Sequence, residues 1–269
     1  AIDAFRRRAA ADERYALLAR ELDEFTPGAD LLFDPDAIDD DVLALIFTAC
    51  HPLLPKESRI ALTLRVVGGL TTDEIAKAFL VPVSTVQARI TRAKKTLAAA
   101  RVPFAVPTVA ARAERLGSVL SVVYLIFTEG SSASGGKDWM RNELAQEARR
   151  LARVLTQLVP EPEAFGLLAL LELTSARFPA RIDENGNAVL LEHQDRSRWD
   201  PSAIVRGRAA LAKVSDSGLG LGPYGLQAAI AECHAVASSV AGTDWARIVL
   251  LYEALGEIAP SAVVELNRA

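Results

Sequence analysis

The chain has 269 residues and a formal net charge of −4, with 51% hydrophobic and only 6% aromatic residues. This composition predicts about two domains of packed amphipathic helices, an all-α fold. No apolar run approaches the ~18–20 residues that cross a bilayer, and no basic-then-apolar leader is seen, so we expect a cytoplasmic protein rather than a membrane-bound one.

The first forty residues are predicted to form a helix and an acidic linker. Residues 1–25 form one helix with an arginine-rich start, and because it opens in mid-pattern we expect a fragment of a longer protein. A Pro-Gly pair ends this helix. Residues 26–39 are the acidic linker, and its last carboxylates favour the positive N-terminal end of a helix from about Asp40 to Cys50.

Three further helices are predicted between Pro55 and Arg101. After the helix over 56–67, Gly68-Gly69 makes a turn, and Thr71-Thr72-Asp73-Glu74, with Thr72 as the cap, begins a short helix. The residues from Leu80 to Val83 interrupt the pattern, and Ser84 is predicted to cap a long helix from Thr85. Two short helices joined by a tight turn, the second one polar and basic at its start, are typical of a helix-turn-helix.

The charge is distributed unevenly along the chain. Between Lys56 and Arg101 nine bases stand against three acids, a net charge of +6 that leaves −10 for the rest. A basic segment beside an acidic body indicates a nucleic-acid-binding module, although charge alone fits a solvated helix face equally well.

The segment GGLTTDEIAKAFLVPVSTVQARITRAKKTL resembles region 4 of an extracytoplasmic-function (ECF) sigma factor, the domain that reads the promoter −35 element. The resemblance rests on the hydroxyl cap before Asp-Glu-Ile-Ala, the small Ala76, the Ser-Thr-Val helix start and the Arg-x-x-Arg-Ala-Lys-Lys tail. It implies a domain over 40–105, a non-enzymatic role in transcription initiation, and promoter DNA and the RNA polymerase core as partners. AIDAFRRR resembles the end of sigma region 2, and we expect most of that region to lie outside this chain.

The second helix of the motif supplies the candidate DNA contacts. The first side chains of a recognition helix meet base edges, where glutamine pairs with adenine and arginine with guanine, whereas cations further along bind phosphates. Val86, Ile90, Ala93 and Leu97 recur at helical spacing and are predicted core residues. The predicted DNA-binding residues are Thr72, Ser84, Thr85, Gln87, Arg89, Arg92, Lys94 and Lys95.

Residues 110–269 are predicted to form a second, helical domain. Leu158-Val159-Pro160 echoes Ile258-Ala259-Pro260, and Asp138-Trp139 echoes Asp244-Trp245, a weak repetition typical of tetratricopeptide-like (TPR-like) arrays. FTEGSSAS and LLEHQDRSRWD resemble the C-terminal extension of one ECF subgroup, which implies a regulatory role, although Thr128 and Ser131 replace the family's Asn and Tyr. The charges of −10 and +6 suggest that this domain docks on the helix-turn-helix.

The charged residues Asp195, Arg196, Arg198 and Asp200 surround Trp199 and allow two interpretations. They form either a ligand site or, as we expect, an ion-paired cluster that fixes a loop and caps the next helix.

We predict neither a cofactor nor a metal site. Phosphate loops, nucleophile elbows and His-Glu-x-x-His helices are not seen, and Cys50 and Cys233 are too far apart to indicate a disulfide framework. Each cysteine precedes a histidine, but adjacent helical side chains diverge by about 100° and chelate poorly.

The alternative to a sigma factor is a helical scaffold whose helix-turn-helix does not bind DNA. A response-regulator output domain lacks support, since no alternation of strands and helices precedes the motif.

Overall fold

The computed structural model describes residues 35–131, 142–184 and 187–268, and their regular structure is helical, which confirms the predicted all-α fold. The predicted helix over 1–25 lies outside these ranges. Within them, an isolated bridge between Ile182 and Ala188 is the one β-type pairing. The eleven α-helices of the described residues are α1 (Pro35–Ala49), α2 (Lys56–Val66), α3 (Thr72–Phe79), α4 (Val83–Ala99), α5 (Val109–Ser131), α6 (Asn142–Leu158), α7 (Pro162–Ser175), α8 (Pro201–Asp216), α9 (Pro223–Val236), α10 (Trp245–Ile258) and α11 (Ala262–Arg268).

The chain divides into two compact units, which meet between Val122 and Val123, inside α5. The sequence places the domain boundary earlier, between 105 and 110, and that boundary stays a prediction. No helix of the described residues is long and apolar enough to cross a membrane.

In the first unit, α2 and α3 both pack on α4. Val86, Ala93 and Leu97 of α4 are buried and Ile90 is half-buried, as their helical spacing predicts. The start of α1 differs from the prediction, because the helix begins at Pro35 rather than at Asp40. Residues 35–39 are therefore helical and do not belong to a linker; a proline is well tolerated in the first turn of a helix.

Helices α2, α3 and α4 are each followed by a left-handed residue, after which an N–H reaches back to a carbonyl of the helix. The left-handed residues are Gly69 (φ 70°), Leu80 (φ 51°) and Arg101 (φ 49°). After Leu80 and Arg101 the next N–H donates to the carbonyl five residues earlier, such as Val81 to Ala76 at 3.0 Å, whereas after Gly69 the Leu70 N–H donates to Leu64, six residues earlier. The five-residue bond at the ends of α3 and α4 is that of the Schellman motif, which normally places glycine at the left-handed position. Neither α3 nor α4 has glycine there.

In the second unit, α6, α8 and α9 pack around α7. Helices α7 and α9 approach closely at a glycine pair, since a Cβ on Gly166 would lie 2.7 Å from the backbone nitrogen of Gly225.

The repeated tripeptides Leu158-Val159-Pro160 and Ile258-Ala259-Pro260 both end a helix: α6 ends at Leu158 and α10 at Ile258, and a proline follows each end by two residues. Asp138-Trp139 lies outside the described residues, and the TPR-like arrangement stays a prediction.

The carboxylate of Glu172 lies at the centre of the second unit with a side chain that is only 1% exposed. Arg149 donates to it at 2.7 Å, Arg153 at 2.5 Å and Arg206 at 3.0 Å. Burial raises the pKa of this carboxyl, but the hydrogen bonds and charges of the three arginines outweigh it and hold the pKa below its ordinary value. Glu172 therefore joins α6, α7 and α8 as a buried anion.

The charged cluster around Trp199 caps helices, as the sequence predicts, but the predicted ion pairs among its four members are not formed in the described residues, and Asp200 pairs with Arg206 at 3.8 Å instead. Asp200 accepts from the backbone N–H groups of Ser202 and Ala203 and so caps α8. Asp195 accepts in the same way from Ser197 at 2.9 Å.

Candidate nucleic-acid interface

A full capping box fixes the first helix of the helix-turn-helix. The Thr71 hydroxyl accepts from the Glu74 N–H at 3.2 Å, and the Glu74 carboxylate accepts from the Thr71 N–H at 2.6 Å. The cap is therefore Thr71, and the assignment of Thr72 as the cap is wrong. Thr72 is instead the first residue of α3, because only the residue three before Glu74 can complete the reciprocal pair.

The second helix begins two residues earlier than predicted and without a side-chain cap. Pro82 is the N-cap of α4, Val83 is its first residue, and no side chain bonds to the N-terminal N–H groups. The prediction that Ser84 caps this helix is wrong, since Pro82 presets the extended backbone before the first turn. Ser84 is consequently an exposed helical side chain.

The exposed face of α4 is opposite its buried residues. At 100° per residue, Ser84, Ala88, Thr91 and Lys95 fall on one line along the helix, and the structure leaves all four exposed. We call these four residues the central row. Two residues of the central row, Ser84 and Lys95, are predicted DNA-binding residues. The other two, Ala88 and Thr91, lie between them and were not predicted. Their i, i+4, i+7, i+11 spacing, opposite Val86 and Ala93, was the available signal.

The remaining predicted residues flank the central row. Gln87 and Lys94 lie on one side of it and are exposed, and Thr85 and Arg92 lie on the other. The Arg92 Nε donates to the Ala88 carbonyl at 3.2 Å, so its guanidinium is held along the helix near the row. Arg89 is half-buried and points furthest from the row, and Thr72 lies on α3. The structure therefore brings six of the eight predicted residues to one surface of α4.

This surface is cationic. It contains the three basic residues Arg92, Lys94 and Lys95, and α4 has no acidic residue, so this surface can neutralise phosphates while short polar side chains reach base edges. The described residues contain no cluster of histidine, cysteine, aspartate or glutamate that could hold a metal ion. The Cys50 thiol is buried, and burial raises its pKa to about 11.

An all-helical unit with a capped helix, a tight turn and an acid-free exposed second helix defines a helix-turn-helix protein. Residues 44–97 match the family model described as sigma-70, region 4, and residues 115–215 match a family of unknown function, DUF6596. The chain thus contains a sigma-70 region 4 domain followed by a helical DUF6596 region. Region 4 domains in general bind promoter DNA and RNA polymerase.

The chain is also similar to an uncharacterized protein of Rhizobium meliloti (strain 1021), at 48% identity over 231 residues. The match covers 86% of this chain and 54% of the relative, so the chain spans about half the length of the curated relative it matches. No solved structure matches the chain.

Proposed function

We propose that this chain is part of an ECF sigma factor, a non-enzymatic transcription initiation factor that reads the promoter −35 element through α4 and binds the RNA polymerase core. The observation that supports the proposal most is the exposed surface of α4, which consists of the central row and its flanking residues and contains no acidic residue. In this role Ser84, Thr85 and Gln87 contact base edges, and Arg92, Lys94 and Lys95 contact phosphates. A cytoplasmic location follows from the role.

Phosphate contacts predict a particular salt dependence. The affinity of the full chain for a pool of labelled duplexes should fall steeply with salt, and replacing both Arg92 and Lys95 by glutamine should reduce the slope by about 2. The matched control is Arg208→Gln, which removes an exposed arginine of the second unit. Equal slopes for the double variant and the original chain would favour the alternative, a helical scaffold whose helix-turn-helix does not bind DNA.

We further propose that the second unit is a TPR-like regulatory domain that docks on region 4. Residues 56–101 have a net charge of +6 and the rest of the chain has −10, which supports electrostatic docking. A zero-length carbodiimide should join Lys94 or Lys95 to acidic residues beyond 123 at low salt and lose these cross-links at high salt. An absence of such cross-links at low salt would contradict the docking.

A further inference from the structure

An unusual group of arginines lies at the end of α7, apart from the Glu172 cluster. The guanidinium carbons of Arg177 and Arg196 lie 5.6 Å and 4.5 Å from the centre of the Trp199 ring. Arg181 follows one helical turn after Arg177, and its guanidinium lies 5.7 Å from the Phe178 ring centre. Three cations thus converge around two aromatic rings, and we call Arg177, Arg181 and Arg196 the arginine triad.

The arginine triad has no counter-charge among the residues that the structure describes. None of its guanidiniums forms an ion pair with a described carboxylate, in contrast to Arg149, Arg153 and Arg206 around Glu172. Burial, then the charges of Arg181 and Arg196, lower the pKa of Arg177 to about 10. The three cations therefore repel one another in a partly desolvated place, which is costly without an anion.

Hydrogen-bond donors also outnumber acceptors in this place. Arg177 donates to the Gln194 side chain at 3.3 Å, and Arg196 donates to the carbonyls of His234 and Ala237 at 2.7 and 2.8 Å. Trp199 is 95% buried, and neither its indole N–H nor the Arg196 Nη2 has a hydrogen-bond partner among the residues that the structure describes. Buried polar groups are normally paired, so this surplus indicates a missing acceptor.

We propose that the arginine triad is a binding site for a doubly charged oxyanion, a phosphate group on a small molecule or free phosphate. Arginine is suited to this ligand because its planar guanidinium donates two parallel hydrogen bonds to phosphate oxygens. Arg177, Arg181 and Arg196 are all half-buried, so each keeps part of its side chain accessible to the anion. The site lies in the DUF6596 region, at a distance from α4 along the chain, and does not depend on the proposed DNA-binding role.

Thermal unfolding of the full chain tests the proposal with inorganic phosphate as the probe, at constant ionic strength balanced with sodium chloride. Phosphate should raise the melting temperature saturably, by about 3 °C at ten times its dissociation constant. Arg181→Gln should raise the melting temperature without phosphate, because it removes repulsion and loses no ion pair, and should abolish the response to phosphate.

Two control variants locate the effect. Arg208→Gln, which removes an arginine paired with Glu232 at 2.9 Å, and Lys95→Gln on α4 should both keep the response to phosphate. The proposal is overturned if phosphate stabilises no more than chloride does. It is equally overturned if Arg181→Gln keeps the response, or if Lys95→Gln alone abolishes it, since phosphate would then bind the DNA-reading helix.

Discussion

The guanidinium of Arg59 in α2 donates to the hydroxyl of Ser118 in α5 at 2.6 Å, and that hydroxyl donates in turn to the carbonyl of Cys50 at 2.8 Å. One serine therefore joins α5 to α2 and to the end of α1. The first half of α5 belongs to the same compact unit as the helix-turn-helix, so a fragment cut near residue 107 would lose this contact.

Ser118→Ala should lower the free energy of unfolding by about 1–3 kcal/mol, because it leaves Arg59 and the Cys50 carbonyl without this partner. Urea unfolding followed by circular dichroism measures the change. Ser121→Ala is the control, since the Ser121 hydroxyl bonds only to the Ser118 carbonyl in its own helix. A loss for Ser121→Ala as large as that for Ser118→Ala would contradict the role given to Ser118.

Leu80→Gly should stabilise the first unit. Leu80 has a left-handed backbone and a side chain that is 59% exposed, so glycine relieves a cost of about 1 kcal/mol and loses little packing. Gly69→Ala should destabilise by a similar amount, since an added Cβ there contacts nothing and changes only the backbone preference. Thermal unfolding checks both, and a lower melting temperature for Leu80→Gly would refute the explanation.

The helix-turn-helix could be predicted from sequence because its signals are local. Thr71 to Glu74, the break around Pro82 and the spacing of Val86, Ala93 and Leu97 each report on neighbouring residues. The two cap assignments failed because Thr71 and Thr72 have the same chemistry, and because proline can begin a helix without a hydroxyl cap. Only the three-residue distance from Thr71 to Glu74 distinguishes the threonines.

Non-local contacts could not be predicted. The partners of Glu172 come from α6 and α8 and are separated from it by 19 to 34 residues. The close approach of Gly166 and Gly225 likewise depends on how α7 and α9 pack. Ala88 was missed for another reason: it has no polar group, so a search for base-contacting chemistry passed over it although it is at the middle of the exposed face.

Ala88→Glu should reduce DNA affinity at least tenfold, because it puts a negative charge and a longer side chain at the centre of the row that we propose faces the groove. Its matched control is Ala98→Glu, the same change at an exposed position near the end of α4. Fluorescence anisotropy with a labelled duplex measures both, and circular dichroism verifies the fold. Equal affinity for the two variants would place the DNA elsewhere.

Glu172→Gln should lower the free energy of unfolding by about 3 kcal/mol at neutral pH, because three arginines lose their buried anion. The pKa of Glu172 is depressed in the folded protein, so its contribution is complete above its unfolded pKa near 4.5 and disappears as pH falls further. The difference between the variant and the original chain should therefore shrink below that pH. Urea unfolding across pH measures it.

Glu232→Gln provides the matched control, since Glu232 pairs with the exposed Arg208 near the surface and should contribute less than about 1 kcal/mol. A penalty for Glu172→Gln that does not exceed that of Glu232→Gln would contradict the buried-anion account.

Selection of duplexes from a random pool by the full chain tests the central claim most directly. If α4 reads a promoter element, the chain enriches one discrete motif, and Gln87→Ala relaxes a single base position of it, whereas Gln146→Ala on α6 leaves the motif unchanged. Enrichment of no motif, or of the same motif in every variant, would contradict base reading by this helix.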